Sequence, residues 1–182
     1  VEYSKSELIA FLDADDWWEP TFLEHMKELI LAFPEAGVYG SGYYSVKNTR
    51  KKIEPIAVDS SFTQGIINYC HVYAKNLCMP LWTGATVIRK SVFEEENGFN
   101  PVLKLGEDFD LWIRVALRYP VVFLNMPLAN YNQDVELSGR AVGNMQHPYA
   151  HMIWNLDYLA TVEKSNSELK QLLDNLRVYN LL

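Results

Sequence analysis

An apolar run that ends in clustered acids restricts this chain more than any other stretch. Leu8 to Pro20 reads "LIAFLDADDWWEP": five apolar residues, then Asp13, Asp15 and Asp16 within four positions, then two tryptophans. Like charges this close cost free energy unless something positive sits among them. A solvated turn after a strand accounts for Asp16 and Glu19, which would cap the helix that follows. It accounts poorly for Asp13, which continues directly from the apolar run. Alternation along an extended chain sends Asp13 and Asp15 to one side, so two hard oxygen donors would converge on a divalent cation. Mg²⁺ or Mn²⁺ held this way keeps positions open for phosphate oxygens. The carboxyl end of a strand is also where open α/β sheets place their ligands.

Composition narrows the classes around that site. The chain has 182 residues, 49% hydrophobic and 21% charged, with a net charge of −7. That length suits one domain, or most of one, with a sizeable core. The negative balance argues against nucleic acid or a bare anionic membrane as the main partner. Cys70 and Cys78 are the only cysteines and lack metal-ligand spacing, so free thiols in a reducing cytoplasm are expected. No apolar run reaches the roughly 18 residues of a membrane span, and no signal-peptide pattern opens the chain. Because "VEYSKSELIAFLD" enters a buried-looking strand almost at once, it reads as the middle of a domain whose first part is absent.

The order of elements predicts an α/β fold. Glu7 to Leu12 reads as an interior strand and Asp13 to Glu19 as a loop. A helix from Pro20 to Phe33 would carry Phe22, Met26, Leu29, Ile30 and Phe33 on one face. Gly37 to Val46 reads as a strand, and "KNTRKKIEPIAV" as an exposed basic connector. Phe62 to Leu77 is expected as a helix and Trp82 to Arg89 as a strand. "KSVFEEENGF" is a short helix stopped by Asn97-Gly98. A helix over Glu107 to Tyr119, two short strands (Val121–Leu124 and Leu128–Asn132) and helical stretches around 147–162 and 167–181 complete the reading.

A second acidic cluster, "LGEDFDLWIRVALRYP", opens the helix at Glu107. Asp110 reads as a capping residue. Asp108 reads either as another cap or as a carboxylate held ionised and aimed into a cleft, able to take a proton from a hydroxyl.

"FLDADDWW", "WTGATVIRKSVFEEENGFNP" and "GEDFDLWIRVAL", in this order and spacing, resemble the family 2 glycosyltransferases of GT-A fold. The resemblance runs from Glu2 to about Asn132. It implies a three-layer αβα sandwich. Residues 1–135 would form the metal and acceptor side of a catalytic domain, and residues 136–182 a loop and C-terminal helical extension. It implies that Asp13 and Asp15 hold Mn²⁺ or Mg²⁺ on a nucleotide-diphospho-sugar and that Asp108 is the catalytic base. Trp82, Thr83, Gly84, Glu107 and Trp112 would bind the acceptor. The family's base-reading "PxYN"-type loop should precede Val1. Because the processive branch's Gln-x-x-Arg-Trp motif is absent, with Gln146 followed by His147-Pro148-Tyr149, inverting transfer of a single sugar is expected. The acceptor would be a glycan or a lipid-linked molecule, used in the cytoplasm with peripheral contact at the inner membrane.

Weaker candidates surround these. Arg140 suits diphosphate oxygens. Ser138, His147 and His151 lie near the same segment, and the two histidines lack the glutamate of a zincin. Arg50, Lys51 and Lys52 read as a solvated connector, and at least two of Trp17, Trp18, Trp82 and Trp112 as core. Two rivals remain open at this point. One is a haloacid dehalogenase-type phosphatase, in which Trp17 stands where a Thr or Val is expected. The other is a non-catalytic protein, either a degenerate transferase or a carbohydrate-binding module on the same scaffold; the 182-residue chain alone is expected to bind nucleotide-sugar weakly or not at all.

Overall fold

The computed structural model describes residues 1–103, 105–134, 153 and 156–179. Its centre is a mixed seven-stranded sheet. The strands are β1 (Leu8–Ala10), β2 (Trp17–Trp18), β3 (Val38–Lys47), β4 (Arg50–Ile53), β5 (Gln64–Ile67), β6 (Thr86–Arg89) and β7 (Val121–Asn132). The order β1-β6-β3-β7-β2 forms the main path, with β4 added to β3 and β5 to β7. Among the described residues only β3 and β7 run parallel. Among the described residues β1 pairs with β6 alone, so the strand expected to be interior stands at the end of this order.

Neighbouring residues of a strand point to opposite faces, and the sheet buries both. On one side Tyr39, Val87, Val122 and Leu124 pack against Phe22, Met26 and Leu29 of α1 (Phe22–Ala32). On the other, Val38, Ile88, Val121 and Phe123 meet α2 (Tyr69–Asn76), α4 (Glu107–Ala116) and α6 (Ser167–Tyr179). The result is the expected three-layer αβα arrangement. In α6, Leu169, Leu172, Leu173 and Leu176 recur at helical spacing and are all buried in that second core. Each contributes about 1.5–3 kcal/mol of apolar burial. Two short helices, α3 (Lys90–Glu95) and α5 (Ala160–Ser165), complete the set.

Other sequence expectations change too. The loop expected over Asp13–Glu19 contains β2, which pairs antiparallel with β7 at Asn130 and Ala129. The basic connector contains β4, which pairs with β3 through a turn at Asn48 and Thr49, both at positive φ. The helix expected over Phe62–Leu77 divides into β5 and α2, and the side chain of Asn68 between them caps the helix by accepting from the His71 amide. The strand expected from Trp82 begins only at Thr86, after a 3₁₀ turn over Thr83–Ala85. The two strands expected after Pro120 are one, β7, whose register with β3 slips around Gly42. A side chain at Gly42 would meet the Met126–Pro127 backbone at about 3.1 Å, so the irregularity needs a glycine opposite it. Asn97 and Gly98, at φ 58° and 60°, end α3 as expected.

Candidate active site

Beyond β1 the Phe11 ring packs 5.2 Å from Phe99 and 6.5 Å from Trp112, fixing where the acidic loop starts. The chain then turns, with the Asp16 amide donating to the Asp13 carbonyl at 3.2 Å. Asp13 and Asp15 are exposed. Neither side chain makes a hydrogen bond or ion pair with another described residue. The rest of the loop is pinned. Asp16 Oδ1 accepts from the Asn132 amide at 2.7 Å. Glu19 Oε1 accepts from Lys51 Nζ and from Asn130 Nδ2. The Lys51 bond holds the Glu19 carboxyl below its ordinary range. The acids of this stretch therefore separate into two that bind the fold and two left for something else.

Trp18 carries the loop to the second part of the site. Its Nε1 donates to the Gly84 carbonyl at 2.8 Å, and its ring stacks on Phe22 at 4.5 Å. Gly84 sits inside the Thr83–Ala85 turn, where an added Cβ would lie 2.6 Å from the Trp82 ring. Trp82 is half-buried between Tyr43 at 4.8 Å and Tyr131 at 5.3 Å. From the same turn Thr83 Oγ1 donates to Asp108 Oδ2 at 3.4 Å. One short turn thus touches the acidic loop through Gly84 and the acidic helix start through Thr83.

Asp108 and Glu107 are half-buried on the first turn of α4, behind Gly106 at φ 79°. Burial pushes the Asp108 carboxyl above its ordinary value, and the Glu107 charge adds to this. The Phe109 amide, 2.7 Å from Asp108 Oδ1, and Thr83 act in the other direction. Asp108 opens onto a cleft of about 540 Å³ that it shares with Trp82, Tyr43, Tyr73, Tyr131 and Lys52. An aromatic wall beside a carboxylate of raised proton affinity suits a sugar ring presenting a hydroxyl to a base.

Trp112, expected at the acceptor, is 0% exposed and sits edge-on to Phe11 and Phe99, beneath the site rather than on the cleft. Asp110 does not cap α4; it is buried in an ion pair with Arg114. Burial pushes the Cys70 thiol up to about 12 and the Cys78 thiol up to about 11, which leaves no thiolate nucleophile. Arg140, Ser138, His147 and His151 lie outside the described residues. Tyr43 and Tyr131 were not singled out from the sequence. Their only trace was strand alternation, which places them on one face of β3 and β7.

The described residues contain no group of three or more His, Cys, Asp or Glu side chains able to hold a metal. An all-protein cage is therefore not built there. Two exposed carboxylates, unpartnered among the described residues, do fit a hard dication that draws its other ligands from phosphate and water.

The family model "Glycosyl transferase family group 2" matches residues 8–156. The chain belongs to this family. The match spans both acidic clusters and favours a transferase over the phosphatase reading. No curated protein gives a significant match. S. aureus TarS 1–349 in complex with UDP-GlcNAc is similar, with a TM-score of 0.70 and 15% identity, over 96% of this chain and 50% of that one. The UDP complex of TarS 1–349 gives a TM-score of 0.58 and 16% identity over 72% and 37%. The likeness establishes the α/β glycosyltransferase fold, and this family 2 chain spans about half the length of TarS 1–349.

Proposed function

We propose that this family 2 chain forms the metal and acceptor side of an inverting glycosyltransferase that moves one sugar from a nucleotide-diphospho-sugar to an acceptor hydroxyl. The observation carrying this reading is the Thr83–Ala85 turn, which bonds through Gly84 to Trp18 of the acidic loop and through Thr83 to Asp108. That turn links the strand following the acidic loop to the acidic start of α4, which supports reading the two clusters as one site. The nucleotide-sugar bound by TarS supports the donor class.

In this reading Asp108 takes the proton of the acceptor hydroxyl as its oxygen attacks the anomeric carbon. The bond to the diphosphate breaks as the new one forms, and its electron pair leaves with the diphosphate. A single displacement inverts the anomeric centre. The raised proton affinity of Asp108 makes it a better base than an exposed aspartate, and Thr83 orients it. Trp82, with Tyr43 and Tyr131, supplies a face for the acceptor ring, and Glu107, one residue before Asp108 on α4, is assigned to the acceptor on sequence grounds. Asp13 and Asp15 would hold Mn²⁺ or Mg²⁺, which when bound offsets the charge developing on the leaving diphosphate. Arg140 is assigned to that diphosphate on sequence grounds. Two unpaired cysteines support a cytoplasmic setting, with a surface or secreted glycan, or its lipid-linked precursor, as acceptor.

The test is stereochemical. The full-length protein is given UDP-GlcNAc, whose sugar is α-linked, with Mn²⁺, and the first sugar released to water or acceptor is read by proton NMR. A β-anomer is expected; an α-anomer would overturn the single displacement.

A further inference from the structure

Asp110 lies two residues beyond Asp108, which places the two carboxylates about 200° apart around α4. Asp108 opens onto the cleft, whereas Asp110 is 2% exposed on the other side of the helix. One guanidinium meets it there. Arg114 Nε and Nη2 donate to Asp110 Oδ2 at 3.0 and 2.7 Å. The same group donates to the Glu96 carbonyl and, at 2.8 Å, to the Gly98 carbonyl. Asp110 Oδ1 accepts the hydroxyl of Tyr158, carried on a 3₁₀ turn over Asp157–Leu159. These bonds tie α4 to the Asn97–Gly98 turn before it and to the C-terminal segment after it.

Burying an ion pair contributes little net stability, because desolvation offsets the attraction and apolar side chains of equal volume would hold the helix as well. What the pair adds is direction. The N-terminus of α4 has no side-chain cap, and Gly106 before it is at positive φ. The turn bearing Asp108 is therefore fixed by few directional contacts of its own; the Thr83 bond is long, at 3.4 Å.

We propose that Asp110, Arg114 and Tyr158 form a latch that sets the roll and height of α4 and so places the Asp108 carboxylate in its cleft. They are positioning residues, and the inference rests on Asp108 being the base. Besides Glu107, the titratable groups facing Asp108 include Tyr69 and Tyr73 of α2 and, across the cleft, Lys52, Glu54 and Cys78. None of these is hydrogen-bonded to the latch.

Tyr158→Phe, which removes a single hydroxyl, and Arg114→Lys test this in the full-length protein. The Asp108 carboxyl carbon is titrated by NMR without substrate, alongside kcat, KM and Tm. In Tyr158→Phe the Asp108 midpoint is expected to fall back toward an ordinary aspartate as the first turn gains water. The expected kcat falls about three- to tenfold with donor KM unchanged, a size consistent with a small misplacement of a reacting group. Arg114→Lys should lose more, since an ammonium cannot span the carboxylate and two carbonyls. If Arg114→Lys does not fold, Tyr158→Phe decides alone. An unmoved Asp108 midpoint with a lowered Tm would overturn the latch and leave only a structural contact. A moved midpoint with unchanged kcat would uphold the latch and overturn the assignment of Asp108 as base.

Discussion

Between Asp13 and Glu19 four carboxylates lie on a loop; between Glu107 and Asp110 three lie on the first turn of a helix. In the loop the last two are bound, Asp16 to the Asn132 amide and Glu19 to Lys51 and Asn130, and the first two are exposed and without partners among the described residues. In the helix Asp110 is buried against Arg114, and Asp108 is half-buried with its proton affinity raised. Each cluster ties some acids into the fold and leaves others at the surface or on the cleft, where the proposed chemistry would use them. The difference is water. Exposed carboxylates leave their oxygens open to a hard dication; a sequestered one suits a proton.

The largest effect expected from breaking this contrast lies in the loop. Replacing Asp13 and Asp15 together by Asn should lower transfer by about a hundredfold or more, the scale of several kcal/mol of charge stabilisation. Calorimetry should show that donor affinity no longer depends on Mn²⁺. Metal-dependent donor binding that survives in the double variant would place the ion elsewhere. Next in size, Trp82→Ala should raise the acceptor KM about tenfold, the order of one lost ring contact, with the donor KM unchanged. An equal rise in both constants would move Trp82 away from the acceptor.

The smallest effect is on stability. Because the folded protein raises the Asp108 pKa, it favours the neutral acid. The wild type therefore loses stability as pH rises from the ordinary aspartate value through the raised one. Asp108→Asn removes that loss. Its Tm should exceed the wild type's at pH 7, and the gap should close below about pH 4, where the aspartate is neutral in both states. A lower Tm at pH 7 would mean that the carboxylate is held by bonds stronger than its desolvation.

Much of this contrast was legible in the sequence, and the reasons are specific. The period of Phe22, Met26 and Leu29 identified α1, and Asn97-Gly98 the end of α3, because helix faces and left-handed stops leave local marks. The β3–β4 hairpin was missed because its turn is Asn48-Thr49, not Asn-Gly, and "RKKI" is an exposed strand without alternation. β7 read as two strands because Asn125-Met126-Pro127 interrupts the apolar run, while its pairing with β3 at Gly42 is a long-range fact. At the site, carboxylate positions were readable but their burial was not. That Trp112 is sealed under the site, and that Tyr158 reaches Asp110, depends on segments far apart in the chain, whereas the Asp110–Arg114 pair is an i, i+4 contact on one helix that the spacing alone could have shown.

The division of labour is tested most directly by measuring transfer and donor binding in one preparation of Asp108→Asn. Loss of the base should cut kcat by about 10²- to 10⁴-fold while the nucleotide-sugar binds with wild-type affinity in Mn²⁺. Near-normal turnover, or loss of donor binding along with it, would contradict the assignment of the proton to Asp108.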